Sequence, residues 1–393
     1  MPNLINLNIF TRFFKSSSAG GIVLLLCVAI SLVIANSDLA NGFVELLNTE
    51  IGFNTEDITL RYPVLLWIND GLMAIFFLLV GLEIKREVIE GELSSVKQAA
   101  LPVLAAIGGV IVPAIIYSGF NSSNPDTVNG WGIPMATDIA FALGILSLLG
   151  NRVPSGLKIF LAALAIVDDL MAILVIAIFY SSNIHFEYLE YAAALFAVQI
   201  IFNRIGLKNI AFYIIPGIIM WYCIHHSGIH ATIAGVLTAL TLPTNDSEVE
   251  SPLEKLEHML TRPVNFIIMP IFAIANTNIT FESGMVEGLA GTMGLGILLG
   301  LVLGKPIGIV ALSWLSVKLK IAKLPEHTTW THVIGLGLLG GIGFTMSIFI
   351  ALLSFNDVHY QNEAKFAILM ASIIAGVSGF LVLHFYNKKR TFK

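Results

Sequence analysis

The chain has 393 residues, of which 56% are apolar and only 12% charged, about half the charged share of a soluble domain. Its net charge is −5, so no basic surface for a nucleic acid is on offer. Cys27 and Cys223 both lie inside apolar runs and make neither a disulfide framework nor a metal site. What remains is an all-α polytopic membrane protein, one domain over residues 1–393, with each span taking about 20 apolar residues.

In chain order, Arg12 and Lys15 precede a first apolar run, Gly20 to Ala35, which ends at Asn36-Ser37-Asp38 and reads as an uncleaved span. The polar, partly alternating segment 46–61 predicts a small hairpin outside the membrane. Further spans are predicted at 63–83, 99–120, 131–149, 157–180, 188–202, 210–224, 228–242, 263–276, 289–316, 332–354 and 364–385, twelve in all. Charge fixes the orientation. One set of alternate loops holds every Lys and Arg but three: Arg61 and Lys365 fall in the other set, and Lys305 lies within a span. The positive-inside rule then puts both termini in the cytoplasm. An odd number of spans would scramble this partition.

Five charged residues stand where a bilayer disfavours them: Asp70, Asp138, Asp168, Asp169 and Lys305. Each costs about 2.5–3.5 kcal/mol at a helix centre, so such residues normally face a cavity or a partner. The helical rise places Asp168 roughly 17 Å into its span, Lys305 roughly 24 Å along a long one, and Asp70 only roughly 10 Å from the outer side. Asp70 either lines an entrance or caps a helix near the interface. Asp168 and Asp169 project about 100° apart, so they divide two jobs between them. One can bind an ion while the other pairs with Lys305. A purely structural Asp–Lys pair remains an alternative, but three mid-membrane acids against one base leave a surplus that attracts cations or protons.

Two spans carry helix breakers at mid-depth. The fourth reads Gly130-Trp-Gly-Ile-Pro134-Met-Ala-Thr137-Asp138, and the eleventh Gly335-Leu-Gly-Leu-Leu-Gly340-Gly341-Ile-Gly343-Phe-Thr345. Pro134 removes an N–H, and Gly340, Gly341 and Gly343 make an unwound stretch inexpensive. Such backbone is tolerated in a membrane only beside protein or a wet cavity. Close helix packing would also use glycine, but a pair of interrupted spans, one bearing an Asp, favours an ion site. The two spans are seven apart, so they run in opposite directions. Residues 99–180 and 289–385 can therefore be inverted three-helix repeats, with two antiparallel broken helices crossing at mid-membrane. Asp138 would then sit beside positive helix N-termini, and Lys305 would offset negative C-termini.

The segments LLWINDGLMAIFFLLVGLEIKRE (65–87), ATDIAFALG (136–144), LKIFLAALAIVDDL (157–170), SGIHATIAGV (227–236), LVLGKPIGI (301–309) and GGIGFTMSIFIA (340–351) carry a resemblance over nearly the whole chain. The sequence resembles the NhaA-type sodium/proton antiporters of bacterial inner membranes. The resemblance implies pH-regulated exchange of Na⁺ or Li⁺ for H⁺, driven by the proton gradient, without enzymatic activity or a cofactor. It implies a cation and proton site at Asp138, Asp168 and Asp169, with Asp169 the direct ligand and Thr137 in the unwound stretch. It also implies Lys305 as the partner of Asp168, Asp70 on the outer side, and a cytoplasmic pH-response cluster of Glu83, Lys85, Glu87, Glu257 and His258. A homodimer, using the outer hairpin, is a further implication.

Na⁺ prefers several oxygen ligands, which Asp138, Asp169, the Thr137 hydroxyl, unwound carbonyls and water would supply. Clustered buried carboxylates hold protons near neutral pH and titrate as a group. Two acids releasing protons for one Na⁺ would make exchange electrogenic. A channel would not need two broken helices, and Lys305 would oppose cation flow through it. A Na⁺-coupled transporter of an organic anion on the same scaffold is the alternative; it would want more cationic contacts than Lys305. His226 and His230 have the spacing of a zinc helix, but Ser227 stands where such a motif needs Glu. His230 is either a second pH-response residue or a helix-end residue bonded to its neighbours.

Overall fold

The computed structural model describes residues 19–56, 59–181, 184–244, 250–281 and 284–391, without the side chains of 151 and 387–391. Arg12 and Lys15, which contribute to the charge asymmetry, lie outside the described residues. The apolar runs form helices because a backbone in hydrocarbon must satisfy its own polar groups. Helix α1 (Ala19–Ala35) turns by 109° into α2 (Ala40–Asn48) at the polar Asn36-Ser37-Asp38 break. Then come α3 (Val64–Ile89), α4 (Val96–Asn121), a 3₁₀ segment (Val128–Met135), α5 (Ile139–Leu148) and α6 (Ser155–Phe179). Next are α7 (Phe186–Arg204), α8 (Ala211–Ser227), α9 (Ile233–Thr241), α10 (Pro252–Asn276), the short α11 (Met285–Leu289) and α12 (Thr292–Lys318). The last three are α13 (Trp330–Gly340), α14 (Phe344–Ser354) and α15 (Val358–Thr391).

Among the described residues, seven helices are long and apolar enough to cross a membrane, or nine if the bent pairs α1–α2 and α13–α14 each count as one span. This is a multi-pass, mostly helical membrane protein. The three further spans expected from sequence correspond to α7, α8 and α9. Of these, α8 has 17 residues and α9 only nine. Helix α7 has 19 but carries Glu187, Glu190 and Arg204, which lower its apolarity.

The hairpin expected at 46–61 needs a correction. Residues up to Asn48 are helical, since Phe43 and Leu47 place an apolar face against the core. Pairing begins only at β1 (Glu50–Ile51), which meets β2 (Tyr62–Pro63) antiparallel, with a bridge from Asn54 to Thr59. Gly52, at φ +121° between the paired Ile51 and the bridging Asn54, adopts a conformation that side chains rarely take, and a Cβ there would stand 1.9 Å from the Leu60 carbonyl oxygen.

Helices α4 and α12 lie in backbone contact. A Cβ on Gly308 would stand 1.9 Å from the Gly108 carbonyl oxygen, and one on Gly108 would stand 2.1 Å from that of Gly308. This is the close approach that small residues permit where lipid supplies no hydrophobic drive. It brings the middle of α12 under the 3₁₀ segment, where Gly300 accommodates Pro134. The helix widens to a π turn over Gly300–Gly304, immediately before Lys305. Such turns recur at functional sites.

Candidate functional site

Both interrupted spans are interrupted in the structure. The 3₁₀ segment ends at Met135, Ala136 and Asp138 are extended, and Asp138 is the N-cap of α5. In the other span, α13 and α14 meet at 45° across residues 341–343. The breaks hold each other. The Asp138 N–H donates to the Ile342 carbonyl at 2.7 Å. The Thr137 hydroxyl lies 2.8 Å from the Gly340 carbonyl oxygen, and the Ser347 hydroxyl donates to the Ile133 carbonyl at 2.7 Å. Contacts from 133 to 138 in one span therefore meet 340 to 347 in the other. The Ile133, Gly340 and Ile342 carbonyls and the Asp138 N–H are thus each paired across to the opposite span.

The three buried acids have distinct surroundings. The Asp138 carboxylate accepts from the Phe141 N–H at 3.1 Å, from the Thr345 N–H at 3.1 Å, and from the Thr345 hydroxyl. It therefore sits at the N-termini of α5 and α14 together, where two half-helix dipoles offset its charge. Asp168 Oδ2 lies 2.6 Å from Lys305 Nζ, and both side chains are fully buried. Lys305 also donates to the carbonyl of Met135, the last residue of the 3₁₀ segment. The Thr137 hydroxyl stands 2.6 Å from Asp168 Oδ2 as well as close to Gly340. With one proton, it can serve only one of these acceptors fully.

Asp169 differs from both. It is 3% exposed, and no hydrogen bond or ion pair to it is found among the described residues. Asp168 Oδ1 is likewise buried without a partner. A buried carboxylate oxygen without a donor is costly and calls for a proton, water or cation. Lys305 offsets Asp168, and helix ends offset Asp138. The acid left without a hydrogen bond or ion pair among the described residues is Asp169.

The remaining candidates lie in two groups away from these acids. Asp70 sits in a π turn, Trp67–Leu72, within α3. Its Oδ2 is 3.1 Å from His225 Nδ1, and its Oδ1 is 3.9 Å from His230 Nε2. His225 stacks on Trp221, which stacks on Trp67. His226 and His230 do not share a helix, because α8 ends at Gly228 with φ +84°. At the other group, Arg86 grips Glu257 through Nε at 2.9 and 3.1 Å and reaches Glu87 through Nη1 at 2.9 Å. Glu83 lies within Coulombic reach of Glu257, Arg86 and Glu87 on one side and of Asp169 on the other. Lys85 instead donates to the Leu240 and Leu242 carbonyls. His258 points away to Glu250 at 2.7 Å, with 71% of its side chain exposed. Sequence reading missed Arg86, His225 and Thr345. Arg86 stood in a quoted motif beside Lys85, and Thr345 follows the glycine break, but nothing in the spacing of His225 pointed to Asp70, more than 150 residues away.

The Na⁺/H⁺ antiporter 1 family matches residues 11–383. The chain belongs to that family. It is 71% identical to the Na⁺/H⁺ antiporter NhaA 2 of Flavobacterium johnsoniae, over 99% of this chain and 96% of that protein. It is 50% identical to NhaA of Flavobacterium psychrophilum over 97% of each, and 47% identical to NhaA of Escherichia coli over 94% of this chain and 96% of that one. The family resemblance drawn from the motifs is thereby shown. This antiporter is a transporter and not an enzyme, and its exchanged ions are Na⁺ and H⁺.

Proposed function

We propose that this antiporter binds Na⁺ or Li⁺ and protons in turn at Asp169, beside the Asp168–Lys305 pair and the Asp138 cap. The observation that carries this reading is the buried Asp169 carboxylate without any protein donor. A monovalent cation or a proton neutralises it, whereas an empty site leaves a bare charge in the membrane that is costly to occlude. That asymmetry couples the ions, since the protein changes access only when loaded. When a cation arrives, the Thr137 hydroxyl donates to Gly340 and turns a lone pair toward the ion; Asp168 Oδ1 and water complete the oxygen set. Release of protons from Asp169 and a second carboxylate for each Na⁺ makes exchange electrogenic. Protons entering then drive Na⁺ out of the cell.

The proposed setting is a bacterial inner membrane, with twelve spans and both termini cytoplasmic. Helices α7, α8 and α9 supply the spans beyond the nine that length and apolarity support. Residues 99–180 and 289–385 form the inverted repeats of a single domain, a reading supported by the hydrogen bonds between their two interrupted middle spans. Two copies associate, using the outer hairpin. Glu83, Lys85, Glu87, Glu257 and His258 adjust activity to cytoplasmic pH, with Arg86 as the cation that Glu87 and Glu257 share. Cotransport of an organic anion is disfavoured, because the Lys305 ammonium is committed to Asp168 and Met135. The deciding experiment is relaxation of a pH gradient in everted vesicles on addition of Na⁺, Li⁺ or K⁺, with wild type against Asp169→Asn. Na⁺- and Li⁺-driven proton release that persists in the variant would overturn the assignment.

A further inference from the structure

On the side that the proposed topology makes cytoplasmic, two adjoining hollows carry opposite charge. The smaller, about 520 Å³, is lined by Glu87, Glu90 and Glu92 with no basic residue, and it reaches Ile166, two residues before Asp168. The larger, about 1860 Å³, lies between the start of α4, the start of α6 and the loop joining α12 to α13. Lys97, Arg152, Lys320 and Lys323 line it against Glu92 and Glu326. Glu92, Gln98, Ile159 and Ala163 belong to both walls. Basic residues are expected on the cytoplasmic face of any membrane protein. Their convergence on one large cavity, in a chain of net charge −5, is not.

The wall is built. Ile321 and Ala322 donate their N–H groups to the Ser316 carbonyl, Thr328 bonds the Pro325 carbonyl, and Ala322 is buried. Pro325 packs on Gly156, where an added Cβ would stand 3.0 Å from the proline Cβ. Lys320 and His327, both at φ 59°, are the only non-glycine residues with positive φ among the described residues, and both line this cavity. Two costly backbone conformations hold side chains of basic type there. Helix α6 starts in the same wall with Ser155 and Gly156; it has neither a side-chain cap nor an acid in its first turn. Its first N–H groups add to the positive potential.

We propose that this cavity binds a phosphate-bearing anion, either the headgroup of an anionic lipid or a small soluble polyphosphate, and that the anion eases cation passage through the acidic hollow beside it. The second clause rests on the exchange reading above. Unliganded, the bases repel an approaching Na⁺ over roughly 10 Å at 0.1 M salt. A bound anion cancels that field and leaves the acids of the neighbouring hollow to attract the ion.

The test uses the purified full-length antiporter. Calorimetry with inorganic pyrophosphate probes the soluble source, and retention of phosphatidylglycerol through delipidation, read by native mass spectrometry, probes the lipid source. Binding of either, weakened roughly tenfold or more in the triple variant Arg152→Gln, Lys320→Gln, Lys323→Gln, is the expected result. Glu326→Gln should strengthen it, which separates lost charge from lost folding. Binding of neither probe, or binding unchanged in the triple variant, overturns the site. In phosphatidylcholine vesicles at low salt, supplying the bound anion should lower the apparent KM for Na⁺ in wild type and leave it unchanged in the triple variant. An unchanged wild-type KM overturns the effect on passage. Anion binding is also measured in Asp169→Asn, so the anion site and the exchange site fail separately.

Discussion

At the residue scale, three carboxylates of one chemical type are distinguished by what surrounds them. Asp138 is clasped by two helix N-termini, Asp168 by an ammonium and a hydroxyl, and Asp169 by nothing that donates. Asp169→Asn changes little volume and breaks no protein hydrogen bond. It should abolish Na⁺-driven proton release while expression and the melting temperature in detergent stay near wild type. Asp168→Asn and Lys305→Ala should each destabilise by about 3–5 kcal/mol, because each leaves a buried charge unpaired. The double variant should lose clearly less than the sum, since the second change removes the orphan left by the first. Thermal melting of the four proteins checks this; strict additivity would show that the pair is not coupled.

At the element scale, what matters is how closely helices approach and where they break. The contact of α4 with α12 depends on Gly108 and Gly308, because a methyl group on either would overlap the other's carbonyl. Gly308→Ala should lower stability by about 1–3 kcal/mol through overpacking, and Gly308→Val by more. Gly119, in the same helix α4, has nothing within 4 Å of an added Cβ. Gly119→Ala should therefore be neutral or gain up to about 1 kcal/mol of helix propensity. Melting temperatures of the two alanine variants, compared directly, distinguish a packing effect from a general intolerance of alanine. The breaks depend on each other in the same way. The unwound stretch 136–138 is held by 340–345: the Gly340 and Ile342 carbonyls accept from the Thr137 hydroxyl and the Asp138 N–H, and the Thr345 N–H and hydroxyl donate to the Asp138 carboxylate.

At the scale of the whole molecule, the proposed exchange has pH act in two places. On that proposal, raising the pH strips protons from the buried carboxylates and exposes the charge that Na⁺ seeks. The apparent KM for Na⁺ should fall as pH rises, by up to about a hundredfold per unit if two protons leave for each ion. Exchange rates in vesicles, measured against Na⁺ at several pH values, give the slope; a KM independent of pH would exclude competition at a shared site. The Arg86–Glu87–Glu257 network lies apart from these acids, with Glu83 within Coulombic reach of both. Glu257→Gln leaves Arg86 with Glu87 as its remaining acid partner, so it should shift the pH midpoint of exchange and leave the ranking of Li⁺, Na⁺ and K⁺ unchanged. Arg86→Gln should shift the midpoint as well. A changed ranking in either variant would place the network in the cation site.

Sequence by itself determined the membrane class, the family and the identity of the mid-membrane charges. Each follows from a cost that does not depend on the neighbours: an apolar run of span length, a charge in hydrocarbon, a proline or glycine cluster in a helix. It also located both helix breaks, because the residues that break a helix do so locally. Only the tertiary structure decided who meets whom. That Asp138 caps two helices at once follows from Thr345, 207 residues away, coming up beneath it. That Arg86 rather than Lys85 joins Glu257 depends on the rotation of α3, which turns Lys85 to the end of α9. The Asp70–His225 contact likewise needs α8 to stand beside the π turn of α3. Such pairings are set by the packing of whole helices against each other, a property that no local spacing encodes.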